Sequence, residues 1–240
     1  MSAAPFLLLE TGAPIAALRR HGGFAHWIRV AAGLRRDEVT LCQVAAGDRL
    51  PAATGWRGVL ITGSAAMVTE RHPWSEASAE WLRRARSHGV PMLGICYGHQ
   101  LLAHAFDGVV GDNPAGREMG TAELELHPPA ASDPLFAGLP ARVRAQTTHR
   151  QTVLQPPPGA TVLARSQRDA CQAFRLDDRI WGVQFHPEFS AAAMRAYIAG
   201  RAEALRNEGE DPFRLHRAVR PAPFARRVLR RFVRLAPRPG

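Results

Sequence analysis

Gly94-Ile95-Cys96-Tyr97-Gly98 places a cysteine between two small residues, directly after the apolar run Val90–Ile95 and directly before an amphipathic segment. Small residues two before and two after a nucleophile are what a sharp strand-to-helix turn needs, because larger side chains there would collide. Such a turn exposes the sulfur at the carboxyl end of a strand. The helix that follows aims backbone N–H groups and its positive dipole end at it, and both favour thiolate over thiol. Taken alone, the pattern also fits a buried structural cysteine. Cys42 and Cys171 lack the flanking glycines and read as structural.

A thiolate in acyl transfer needs a proton carrier, and the carrier needs a group to fix its tautomer. Of the ten histidines, His186 directly follows the apolar run Ile180–Phe185 and precedes Pro187-Glu188. If that run is a strand beside the one ending at Cys96, the imidazole reaches the sulfur, and Pro187 stiffens a bend that turns Glu188 back toward the ring. Backbone donors at Tyr97 and at the Gly63-Ser64 strand end would stabilise the oxyanion, although Gly63 also fits an ordinary turn.

The positioning elements follow from periodicity. Phe6–Glu10, Val39–Val44, Gly58–Thr62 and Val90–Ile95 read as strands. They alternate with helical segments at Pro14–Ala32, Ser75–Ser87 and Tyr97–Phe106. That alternation predicts βαβ units on a parallel sheet. From Gly108 to Leu176 short β-like runs (Thr121–Leu126, Arg142–Thr147, Thr161–Ala164, Cys171–Leu176) are separated by turn chemistry and read as antiparallel strands at the sheet edge. Arg179–Phe185 returns to the core, and Ala191–Leu205 closes the body as a helix.

The two motifs together, Gly94-Ile95-Cys96-Tyr97-Gly98-His99-Gln100 and Gln184-Phe185-His186-Pro187-Glu188, resemble class I glutamine amidotransferase domains, most of all the amidotransferase domain of GMP synthases and stand-alone bacterial relatives. The resemblance covers residues 40–200. It implies a flavodoxin-like, doubly wound, mostly parallel sheet with helices on both faces and an antiparallel extension. It implies a Cys96-His186-Glu188 triad that opens the glutamine side-chain amide through a γ-glutamyl thioester. It also implies oxyanion donors at Gly63, Ser64 and Tyr97, and substrate contacts from Gln100, Thr148 and His149. Arg117-Glu118-Met119-Gly120 is similar to a run of that domain, and reads equally as the start of a strand. Where GMP synthases carry Ser-His-Gly-Asp, this chain has Thr148-His149-Arg150-Gln151, so the ends of the substrate would be held differently. The released ammonia would go to a separate synthetase, or the substrate would be a γ-glutamyl peptide or amide instead.

Composition bounds the rest. With 240 residues, 46% hydrophobic and 22% charged, the chain has room for a full α/β domain and an appendage. Residues 1–205 are expected to be the amidotransferase domain and 206–240 a basic tail. The net charge of +10 is concentrated there: residues 211–240 hold nine arginines against Asp211, and lysine is absent throughout. Phe224–Leu235 can form an amphipathic helix with a stripe of Phe224, Val228, Phe232 and Leu235, either packing on its own body or a dimer mate or docking a partner. Deleting 211–240 is expected to leave basal hydrolysis intact. Arginine-only basicity fits codon usage, so nucleic-acid binding is not inferred. Three cysteines without CxxC spacing predict a reduced, cytoplasmic protein, and neither a metal nor a cofactor is expected. No run is long enough for a membrane span, and no leader peptide is apparent.

Overall fold

The computed structural model describes residues 5–236. Its centre is a nine-stranded sheet in which alternate side chains are buried on opposite faces. Five strands form the parallel half: β1 (Phe6–Leu9), β2 (Val39–Cys42), β3 (Gly58–Ile61), β4 (Met92–Ile95) and β11 (Ile180–Val183). Four more continue the sheet antiparallel: β6 (Glu118–Leu126), β7 (Arg142–His149), β9 (Thr161–Arg165) and β10 (Ala173–Leu176). The order across the sheet is β2-β1-β3-β4-β11-β10-β9-β6-β7. A separate pair, β5 (Val109–Asp112) and β8 (Gln151–Gln155), forms a small antiparallel sheet. The amino-acid pattern points to neither of these two, because their exposed, mixed residues carry little periodicity.

Burial on both faces explains the continuous apolar runs of the parallel strands. Phe6, Leu8, Leu60, Leu93 and Trp181 face one layer of helices, while Leu7, Leu9, Val59, Ile61 and Met92 face the other. The second layer is α2 (Pro73–Ser87) and α3 (Tyr97–Ala105), which bury Ala79, Leu82, Leu101 and Leu102. The first layer is α1 (Phe24–Ala32) and α7 (Ala225–Leu235).

Three helical expectations change. Pro14–Ala32 is not one helix: a 3-10 turn spans Ala16–His21, and Gly22-Gly23 separates it from α1. Ala191–Leu205 breaks at Arg201 into α4 (Ala191–Gly200) and α5 (Ala202–Asn207). The second helix opens at Pro73 rather than Ser75, because proline suits the first helical turn, where its missing N–H loses nothing.

The basic segment contributes α6 (Pro212–Ala218) and α7. The buried stripe of α7 is Ala225, Val228, Leu229 and Phe232, while Leu235 is 46% exposed, so the apolar face is rotated from the one expected. Phe232 lies 6.3 Å from the Phe6 ring and 6.2 Å from the Trp181 ring, inside the main core. The arginines of α7 tie it down through stray carbonyls: Arg231 donates to Leu135 O and Ala137 O at 2.9 and 2.7 Å. From the sheet side, Arg57 donates to Val233 O at 2.9 Å. Among the described residues no helix is long and apolar enough to cross a membrane.

Candidate active site

The register of the parallel strands decides which residues meet. Gly182 pairs with Gly94, Val183 with Ile95, and Ile61 with Gly94. The carboxyl ends of β3, β4 and β11 therefore lie side by side and deliver Gly63, Cys96 and His186 to one edge, where open α/β sheets place their sites.

Cys96 sits at φ 52°, ψ −102°, a strained setting for a side-chain-bearing residue. Its surroundings hold it there. The Cys96 N–H donates to Val183 O at 2.8 Å, and its carbonyl accepts from Gln100 N at 3.1 Å in the first turn of α3. A Cβ on Gly94 would collide with the Gly98 carbonyl, and one on Gly98 would come within 2.6 Å of Ile61 O. Both glycines are thus obligatory to the turn, as the sequence pattern required.

His186 is held at its backbone by an N–H donated to Gln146 O at 2.8 Å, and its ring stacks on Phe189 at 4.2 Å. Nδ1 is 2.8 Å from Glu188 Oε1, with both side chains buried. The carboxylate fixes the proton on Nδ1 and leaves Nε2, which has no hydrogen-bond partner, for the sulfur side. Burial pushes the Cys96 thiol up, but the charge of His186 and its proton, with a smaller share from His149, outweigh it and hold the thiol below its ordinary value. Burial likewise pushes His186 down, yet Glu188 and Cys96 carry it well above the usual imidazole range. Both shifts run toward a thiolate–imidazolium pair. Cys42 and Cys171 differ, since burial drives both of their thiols upward.

Gly63 packs against this pair: a Cβ there would lie 3.0 Å from His186 Cε1 and 3.6 Å from Cys96 Cβ. Two residues not singled out in the sequence orient its peptide. Thr11 Oγ1 donates to Gly63 O at 3.1 Å, and Thr62 Oγ1 reaches the same oxygen at 3.0 Å. In a trans peptide the C=O and N–H point oppositely, so the Ser64 N–H is turned away from the two threonines. Among the described residues neither the Ser64 nor the Tyr97 amide meets an acceptor. The threonine partnership spans 51 positions, which no local pattern reveals.

The remaining expected residues divide. Thr148 lies at the sulfur, its carbonyl 3.9 Å from Cys96 Sγ. Gln100 is buried and donates through Nε2 to Gln151 O at 2.7 Å and Gln184 Oε1 at 2.8 Å, so only its oxygen is uncommitted. His149 has both nitrogens engaged with protein, Nδ1 with Gln151 O at 2.9 Å and Nε2 with Glu118 Oε2 at 3.0 Å. It belongs to a buried cluster with Glu118, Asp169 and Gln172. Glu118, His149 and Asp169 are close enough together to hold a metal ion. The inter-residue hydrogen bonds already satisfy the set without one. His99 packs on Phe174 at 4.9 Å, and burial pushes it down to about 4, which makes it a neutral packing residue.

A cavity of about 320 Å³ opens beside Cys96, with Gln100, Thr148, Arg150 and Arg201 in its wall. Glu70 is the acid whose carboxylate borders it without an arginine partner, and its Oε2 accepts from Met67 N at 2.9 Å. A larger space of about 650 Å³ runs along β6 and has neither cysteine nor histidine in its lining.

Residues 21–201 match the model of the family described as glutamine amidotransferase class-I. The chain belongs to that family. It is 42% identical over 144 residues to the GMP synthase [glutamine-hydrolyzing] of Aeropyrum pernix, a match covering 60% of this chain and 26% of that protein. It is 42% identical over 100 residues to a glutamine-hydrolyzing GMP synthase subunit of Pyrococcus abyssi, covering 41% of this chain and 51% of that one. The matches thus span about a quarter to a half of these relatives' lengths. Among solved structures, a glutamine amido transferase from Methylobacillus flagellatus superposes with a TM-score of 0.82 at 26% identity, covering 100% of this chain and 98% of that one. The fold of this family member is the expected one, a mostly parallel sheet between helices with an antiparallel extension.

Proposed function

We propose that this amidotransferase hydrolyses the side-chain amide of glutamine through a γ-glutamyl thioester on Cys96. The observation that carries the reading is the buried Cys96-His186-Glu188 array, with His186 Nδ1 locked by Glu188 at 2.8 Å and Nε2 uncommitted beside a thiol held below its ordinary value. Cys96 Sγ bonds the amide carbon, and the Ser64 and Tyr97 amides receive the oxyanion. His186 gives its proton to the departing nitrogen and the C–N bond breaks. A water then loses a proton to His186 and attacks the acyl carbon, the C–S bond breaks, and glutamate leaves.

The ammonia serves a partner synthetase, a reading supported by relatives that are named as GMP synthases and as one subunit of such an enzyme. A reducing, cytoplasmic setting suits three free, buried cysteines. The test is glutamate and ammonia release from glutamine by the purified chain, with hydroxylamine added to trap the acyl group as γ-glutamyl hydroxamate. Release that persists in Cys96→Ala, or a wild type that never yields the hydroxamate, overturns the mechanism.

A further inference from the structure

The two amides assigned to the oxyanion differ in how they are held. The Tyr97 N–H is the first of α3, next to Cys96, and the strained turn at φ 52° fixes both together. The Ser64 N–H belongs to the loop that follows β3, directly after a glycine, where no side chain limits the backbone. A peptide plane in that setting can rotate, and half a turn would aim the Gly63 carbonyl at the sulfur in place of the amide. A contact from outside the loop must select one orientation.

That contact comes from β1, a strand that supplies no reacting group. Its ladder with β3 ends at Leu9 and Ile61, and the last backbone bond is from Thr62 N–H to Leu9 O at 3.1 Å. Continuing the register sets Thr11 opposite Gly63 and Gly12 opposite Ser64. From there side chains replace the ladder. Thr11 N–H donates to Thr62 Oγ1 at 3.0 Å, which leaves the Thr62 hydrogen for Gly63 O at 3.0 Å. Thr11 Oγ1 lies 3.1 Å from the same oxygen and 2.9 Å from Thr62 O. Gly98 N–H already supplies Thr62 O at 3.1 Å, so the Thr11 hydrogen is free to serve Gly63 O. Thr11 is 1% exposed and Thr62 0%, so bulk water cannot compete for either hydroxyl. The same loop backs Ser64 directly: a Cβ on Gly12 would lie 2.7 Å from Ser64 Oγ and 2.9 Å from Ser64 Cα.

The geometry points to Thr11 as a positioning residue: its hydroxyl holds the Gly63 carbonyl away from the sulfur and so keeps the Ser64 N–H on the oxyanion side. Donors on a carbonyl also polarise its peptide, which strengthens the N–H at the other end. The inference rests on the roles proposed above for Cys96 and Ser64. Thr11 touches no reacting atom. It matters only once negative charge collects on the substrate oxygen, so its effect falls on kcat and not on glutamine affinity or on the sulfur itself.

The test compares wild type, Thr11→Val and Thr11→Ser in glutamine hydrolysis and in alkylation of Cys96 by iodoacetamide, a displacement that builds no oxyanion. Valine removes the hydroxyl but strands no buried group, because Gly63 O keeps Thr62 Oγ1 and Thr62 O keeps Gly98 N–H. In Thr11→Val, kcat is expected to fall about tenfold or more with KM within about twofold of wild type, a fraction of the loss that follows removal of a whole oxyanion donor. The alkylation rate should stay at the wild-type level, and Thr11→Ser, which restores the hydroxyl, should recover kcat. A wild-type kcat in Thr11→Val, a fall in alkylation that matches the fall in kcat, or a serine variant no better than valine overturns the assignment. A wild type inert toward glutamine would instead sink the Cys96 reading, and with it the oxyanion that Thr11 serves.

Discussion

At Cys96 the neighbouring His186 lowers the thiol in a buried place where burial alone would raise it. The two shifts predict an ion pair with His186 in the pH window above the lowered Cys96 value and below the raised His186 value. Alkylation of Cys96 by iodoacetamide should therefore have its midpoint below the free-thiol midpoint of about 8.5, the rate falling as pH drops through the lowered value. In His186→Ala the cation is gone, burial acts alone, and the midpoint should move upward; a pH–rate profile unchanged from wild type would remove the ion pair. Turnover should decline on the alkaline side, where His186 loses the proton it must deliver. Glu188→Gln should lower kcat by about 10²-fold or more, because the imidazole loses both its tautomer and its counter-charge. Gly63→Ala tests positioning: the added methyl presses on His186 Cε1 from 3.0 Å, and displacing the ring should cost roughly 10- to 100-fold in kcat while the melting temperature changes little. That Cys96, His186 and Glu188 come together was legible because each stands beside a glycine, a proline or a strand end. The placement of Arg19 and Arg201 was not. An arginine in an arginine-rich chain carries no signal, and the local turns alone bring these two to the cavity that Cys96 borders.

Among the elements, the parallel strands announced themselves because residues buried on both faces leave uninterrupted apolar runs. The helical stretches were harder. Gly22-Gly23 and Gly200 interrupt patterns whose periodicity continues across the break, so amphipathicity alone joined segments that the backbone separates. In α7 the stripe expected from the sequence ended on Leu235, but contact with the sheet buries Leu229 instead. That packing reverses the expected result of removing residues 211–240. Without α7, Phe6, Leu8 and Trp181 lose a layer of cover, and the truncated protein should fail to give a cooperative melt instead of retaining basal hydrolysis. Phe232→Ala is the gentler probe. It should destabilise the full chain by about 3–5 kcal/mol, read as a shifted denaturant midpoint, with kcat unchanged in the molecules that remain folded.

For the molecule as a whole, many of the charges serve to hold the fold together. The arginines that give the pI of about 11.2 are largely spent on carbonyls and ion pairs, such as Arg117 with Glu208 at 2.6 Å and Arg168 with Glu210 at 2.6 Å. These pairs fasten the segment after α5 to β6 and the loop preceding β10. Glu208 is held below the usual carboxylate range first by its hydrogen bond from Arg117, and the segment should loosen only as the medium becomes acidic enough to protonate it.

Phe6 and Phe232 meet in one core although almost the whole chain lies between them. During synthesis the Phe6–Leu9 strand is made more than two hundred residues before the helix that covers one of its faces. Until then a strand of four large apolar residues must be shielded by something else, and a nascent chain in that state is a natural client for a holdase chaperone. A message broken anywhere before α7 would yield a product that already contains Cys96, His186 and Glu188 but cannot seal the sheet beneath them. The core beneath the sheet that carries Cys96 is thereby completed only once α7 has been made.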